Sequence, residues 1–135
     1  HNTTQTLTAG AAAVALNLNA EDHDTASMHD TVTNNSRITI PSGGGGDYLV
    51  IVNIIRSAAS GLLEVELRKN GTQVHYWWEN SANAITCAFS RLLRSLVATD
   101  YLELFAAQSS NNCDLGSATA TKATRMQVIG PWPPT

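Results

Sequence analysis

The sequence is short of charge. Only 14% of its 135 residues are Asp, Glu, Lys or Arg, against about a quarter in an ordinary soluble domain. Eight basic residues stand against eleven acidic ones, for a formal net charge of -3. That balance leaves no basic face for a phosphate backbone, so nucleic acid is not an expected partner. Nor is a membrane, because no apolar run approaches the roughly 20 residues that a spanning helix needs. Cysteine is scarce too. Cys87 and Cys113 can close at most one bridge, which excludes a disulfide framework. Cys87 lies in an apolar run and Cys113 in a polar stretch that reads as a loop, so no bridge between them is expected. No serine sits in a nucleophile-elbow pattern, and the sequence offers no candidate catalytic group. The expectation is a protein that is not an enzyme and uses no cofactor. A surface this poor in charge is expected to be covered, by a partner or by copies of the same chain.

What the sequence does have is a period of two. Val14, Leu16 and Leu18 alternate with Ala15 and Asn17. Ile38 and Ile40 alternate with Arg37 and Thr39. Leu63, Val65 and Leu67 alternate with Glu64, Glu66 and Arg68, and Leu102 and Leu104 flank Glu103. Such runs are half-buried strands. Turn-forming stretches separate them, and Asn70-Gly71 between two alternating runs marks a hairpin, since both residues accept positive φ. One segment, Phe89 to Ala98, also fits a helical face through Leu92, Leu93 and Leu96. The pattern as a whole predicts an all-β, antiparallel two-sheet sandwich.

Two stretches break the pattern. "YLVIVNII", Tyr48 to Ile55, is apolar on both parities, so both of its faces need cover. In a sandwich one face meets the core, and the simplest cover for the other is another subunit. Just before it, "PSGGGGD" could be a phosphate cradle, but its glycines feed a β-branched run rather than a helix N-terminus. A tight corner, where side chains would clash, is the better reading. At the other end "GPWPPT" is read as an exit arm that cannot continue a ladder, because proline lacks the donor.

In their order these pieces resemble the jelly-roll domain shared by complement C1q heads and tumour necrosis factor ligands. "ITIPSGGGGDYLVIVNI" resembles the family's Ile-Pro-x-x-Gly-x-Tyr strand entry, with Tyr48 as the aromatic. "LEVELRKNGTQV" resembles its strand-Asn-Gly-strand hairpin. "LRSLVATDYLELFAAQ" resembles its Leu-x-x-Gly-Asp strand, with Thr99 in place of the glycine before Asp100. "TRMQVIG" resembles the closing strand. The similarity runs from about Thr6 to Gly130, leaving 1–5 and 131–135 as arms around a 6–130 jelly-roll domain. The Asp/His-rich segment ahead of the Ile-Pro strand is more similar to the versions found in bacteriophage virion proteins. The resemblance implies a homotrimer with a structural or binding role: a capsid decoration, head-fibre or tail component, located on the virion and contacting capsid or other virion proteins. It further implies that Leu49 and Ile51 line the trimer interface with Phe105 near them, leaving Tyr48, Val50 and Val52 for the core. The alternative is a secreted trimeric recognition module that binds carbohydrate or a receptor.

Two clusters remain. "EDHDTASMHD" gathers Glu21, Asp22, His23, Asp24, His29 and Asp30. Its spacing fits no named metal loop, having no glycine at the sixth position and no bidentate Glu at the twelfth. The expectation is a hydrogen-bonded loop without a metal, with Asp22, His23, Asp24, His29 and Asp30 as the residues that would serve a cation. Tyr76, Trp77 and Trp78 are adjacent, so a strand sends Tyr76 and Trp78 to one face and Trp77 to the other. They are the candidate ligand platform, against the plainer role of core or interface packing.

Overall fold

A computed structural model describes residues 4–57, 59–116 and 124–132, except the side chain of Cys87. Ten strands form among them: β1 (Gln5–Leu7), β2 (Val14–Ala15), β3 (Arg37–Thr39), β4 (Gly46–Arg56), β5 (Leu62–Lys69), β6 (Thr72–Asn80), β7 (Ile85–Leu96), β8 (Tyr101–Gln108), β9 (Cys113–Leu115) and β10 (Arg125–Trp132). No helix occurs among the described residues. The strands make two antiparallel sheets. In sheet A, β4 lies between β7 on one side and β10 and β9 on the other, with β1 beyond β9. In sheet B the order is β2-β8-β5-β6, and β3 also pairs with β8.

Most successive strands lie in opposite sheets; only β2 and β3, β5 and β6, and β9 and β10 are successive strands of the same sheet. This wrapping is compatible with a jelly roll. The hairpin turns on Asn70 and Gly71, at φ 50° and 79°, as a two-residue turn with matching twist requires.

Alternation places the core. Tyr48, Val50, Val52 and Ile54 of β4 meet Leu63, Val65 and Leu67 of β5 and Leu102 and Leu104 of β8 between the sheets, all essentially inaccessible. The helix-like spacing in β7 has a local cause. Between Gly46↔Leu96 and Tyr48↔Leu93 the pairing shifts by one residue, and Ser95 takes φ 53°. The bulge lets Leu93 and Leu96, three apart, both face the core, so a strand carries the i, i+3 signature of a helix.

The glycine corner is a matter of space. A Cβ on Gly46 would stand 2.6 Å from the carbonyl oxygen of Trp132, and one on Gly130 would stand 2.7 Å from that of Asp47. The start of β4 and the end of β10 thus approach backbone to backbone, and only glycine fits on either side. The C-terminal stretch differs from its reading as an arm. β10 runs on through Pro131 to Trp132, which pairs with Asp47. The pairing is irregular between Ile129 and Trp132, so the proline lacking a donor falls where the ladder is already interrupted. At the other end, Gln5 and Thr6 belong to β1. The Gln5 amide donates to the Ala15 carbonyl at 2.9 Å and accepts from the Asn17 amide at 2.9 Å. Residues 1–3 and 133–135 lie outside the described residues.

Candidate functional site

The sandwich presents two outer faces of opposite character. On sheet A, Leu49, Ile51, Asn53 and Ile55 of β4 point away from the core and are half-buried by their neighbours. Leu49 stands opposite Leu92 of β7 and Ile129 of β10, and Ile51 opposite Ser90 and Gln127. Directly opposed residues share a face, so Leu49, Ile51, Leu92 and Ile129 form one apolar patch. Leu92 and Ile129 are 44% and 45% exposed. Asn53 lies between Ala88 and Arg125, and Ile55 opposite Thr86. The charges of this face lie at its ends: Asp47, two residues before Leu49, pairs with Arg94 at 3.5 Å, and Arg125 stands opposite Asn53. Arg125 also lies 3.8 Å from Asp22. Neither Leu92 nor Ile129 was expected in the interface from the sequence. Leu92 falls beside the bulge, and Ile129 sits next to the glycine that closes the corner.

Phe105 does not join this patch. It lies on the outer face of sheet B, opposite Glu66 and Ala15, with the Arg68 guanidinium 3.7 Å above its ring. The Arg68 side chain also meets the Glu66 carboxylate at 2.7 Å. Glu64 and Trp78 are opposite one another, as are Glu66 and Tyr76. Tyr76 and Trp78 therefore point outward, 39% and 60% exposed, while Trp77, opposite Val65, packs against the core. The Tyr76 hydroxyl donates to Glu64 Oε1 at 2.6 Å. That bond, with a smaller contribution from burial, pushes the phenol up to about 12. At the end of the same sheet Asp100 holds the turn before β8. It takes bonds from the Asn70 amide at 2.6 Å and the Val97 N–H at 2.9 Å, and pairs with Lys69 at 2.8 Å. Burial pushes the Asp100 carboxyl up, but these bonds outweigh it and hold it below its ordinary value.

The acidic segment 21–30 is occupied with its own backbone. Asp24 accepts from the N–H groups of Ala26 and His29, and Asp30 from those of Val32 and Thr33. Asp24 is pushed up by burial and pulled further down by those amides; Asp30 is lowered chiefly by its bonds from Thr33 and Val32. His29 Nδ1 lies 3.0 Å from Glu21 Oε1 and its Nε2 lies 3.2 Å from the Asn35 carbonyl. Asp22 turns away to Arg125. Among the described residues no three His, Cys, Asp or Glu side chains converge in a way that could hold a metal.

Two buried groups were misplaced or missed in the sequence. Cys113 is not in a loop; it pairs with Leu7 in β9 and is buried as a free thiol. Burial pushes it up, partly offset by nearby Arg56. The Cys87 side chain lies outside the described residues. Arg56 ends the apolar run of β4 and is fully buried. Its guanidinium donates to the carbonyls of Ala59, Gly61, Ser81 and Asn83 and to Gln108 Oε1, at 2.8–3.1 Å. Nε has no partner. These acceptors are all neutral, so this cation clamps the 59–61 and 81–83 loops to the end of β8.

No family model matches the chain, and no curated protein matches it.

Proposed function

We propose that this chain is a structural module of a bacteriophage virion: a homotrimer, held by the outer face of sheet A, that decorates a head or forms part of a fibre or tail. The carrying observation is that face. Leu49, Ile51, Leu92 and Ile129 make a contiguous apolar patch on a molecule with few charges, with Arg125 toward one end and the Asp47–Arg94 pair toward the other. Covering such a patch with a second copy removes apolar area from water and desolvates almost no ion. The order of the strand-entry, hairpin and closing motifs, with chain crossings compatible with a jelly roll, supports the C1q/TNF-like reading and its threefold symmetry. Phe105, on the far sheet of the same protomer, is left out of this contact.

In this reading the protein occupies a place on a particle and turns nothing over. Its partners are its own copies and capsid or other virion proteins. Threefold presentation then strengthens particle binding through effective concentration, with no strong single contact needed. The test is reconstitution. Purified protein is mixed with virus particles lacking it and co-sedimented. Binding that Leu49→Asp abolishes is the expected result; wild-type protein that never sediments with particles contradicts the reading. The exposure of Trp78 and Tyr76 favours a recognition role as a second reading.

A further inference from the structure

We infer that the outer face of sheet B is a saccharide-binding platform, with the Trp78 indole as the stacking surface for a pyranose ring and Glu64 as its hydroxyl anchor. The inference stands independently of the trimer, because it uses a face on the other side of the sandwich.

The register defines the site. Trp78, Glu64 and Ala107 lie in one row across β6, β5 and β8, and Tyr76, Glu66, Phe105 and Ala15 in the next. The indole thus stands at the edge of the sheet, a carboxylate stands beside it, and a small residue follows. The row is a shelf with a tall aromatic wall and a low floor. Trp78 is 60% exposed, and among the described residues no hydrogen bond to its N–H is found. So large an apolar side chain left open beside polar groups suits a ligand that is itself apolar on one face and polar at its rim. A β-linked glucose or galactose ring has that form: axial C–H bonds on one face, hydroxyls around the edge.

The polar groups are fixed in advance. Tyr76 holds Glu64 through one oxygen, Oε1, and among the described residues no hydrogen bond to Oε2 is found. An ionised carboxylate accepts and never donates, so it suits a ligand rich in O–H donors and forms short, charge-assisted bonds with them. Glu66 is already held by Arg68, and Arg68 by the Phe105 ring. These side chains lose little freedom when a ligand arrives.

Two other occupants fit less well. An apolar protein surface would bury the Glu64 charge with one oxygen unsatisfied. A quaternary ammonium or methylated lysine is best held in a cage of aromatic faces. Here Tyr76 and Trp78 are two apart on one strand and lie side by side, and Arg68 stands on the same face.

The test is an NMR titration of the full chain labelled with nitrogen-15, reading the indole N–H signals of Trp77, Trp78 and Trp132. The probes are methyl β-D-galactopyranoside, methyl β-D-glucopyranoside, cellotriose and chitotriose, with tetramethylammonium as the cation control. At least one saccharide should shift the Trp78 signal saturably while Trp77, packed on the core, stays in place. Trp78→Ala should abolish the response of neighbouring backbone amides, and Trp78→Phe, which keeps a flat ring, should retain part of it. Glu64→Gln should weaken binding about tenfold, as expected for one charge-assisted bond. Ile51→Asp should leave the single-site affinity unchanged. Overturning results are no Trp78 shift with any of the four saccharides, saccharide shifts that survive Trp78→Ala, or a Trp78 response to tetramethylammonium alone.

Discussion

The two outer faces are built from strands of similar length in one sandwich, yet they differ in almost every property that decides what can touch them. Sheet A shows Leu49, Ile51, Leu92 and Ile129, with charges at the two ends of the patch, Arg125 and the Asp47–Arg94 pair. Sheet B shows Glu64, Glu66, Arg68, Tyr76 and Trp78, each carboxylate already engaged by a neighbour. The first resembles the centre of a protein interface, where charge is depleted. The second keeps polar groups fixed around exposed rings, as ligand sites do. The cores beneath the two faces are alike, so the fold alone does not set this difference. It is set by the outward parity of each strand: apolar in β4, charged in β5. One sandwich can therefore assemble through one side and leave the other free to recognise a ligand.

The largest effect on stability is expected midway between the faces, at Arg56. Its guanidinium satisfies four carbonyls and the Gln108 side chain in the buried end of the sandwich. Arg56→Ala leaves those acceptors unpaired and opens a cavity, for a loss of about 3 kcal/mol or more in chemical denaturation. A paired substitution separates the faces themselves. Leu92→Lys on sheet A and Ala107→Lys on sheet B both add a surface lysine, and each should change the stability of the isolated fold by about 0.5 kcal/mol or less. Only Leu92→Lys should dissociate the assembly, as read by light scattering.

Acid gives a smaller, regional contrast. The Asp100 carboxyl is lowered in the fold, so its contribution is present above the ordinary carboxylate value of 3.8 and is lost as pH falls through and below it. Hydrogen exchange on acidification should therefore rise first at the Asn70-Gly71 tip and the 97–101 turn of sheet B, while the centre of β4 stays protected. The smallest effect is at Thr99. It sits at φ 73°, a left-handed conformation that costs a β-branched residue energy. Thr99→Gly should stabilise by about 0.5–1 kcal/mol in thermal melts, after the greater freedom of glycine in the unfolded chain offsets part of the relief.

Much of this was legible in the sequence, and for local reasons. The alternation of β5 and the Asn70-Gly71 turn follow from local pattern alone, and so does the split of Trp77 from Tyr76 and Trp78. The inward parity of Tyr48, Val50 and Val52, in a run apolar on both faces, came instead from the family resemblance. Thr99 stands where the resembling family has glycine, and the positive φ there shows what that position asks of the backbone. The rest depended on contacts far apart in the chain. Arg56 reads as the charged end of a strand until the carbonyls of two loops close around it. The Ser95 bulge gave β7 the spacing of a helix. Cys113 looked exposed among Asn and Asp, because a three-residue strand is too short to show its period. Pro131 looked like a stop, and only the interruption opposite Asp47 lets β10 pass through it. Phe105 sits at a strand position whose outward face could not be told from that of Leu49 until the sheets were assigned.

The central claim is that the outer face of sheet A is an interface between copies of this chain. Sedimentation equilibrium over a range of concentrations measures it most directly, with wild-type, Ile51→Asp and Glu66→Gln proteins compared. The account predicts that wild type and Glu66→Gln sediment with the mass of three chains. Ile51→Asp, which would bury an unpaired charge in the contact, should sediment with the mass of one while keeping the wild-type β-sheet circular dichroism. A wild-type protein that stays monomeric at every concentration, or a folded Ile51→Asp that remains trimeric, would contradict it.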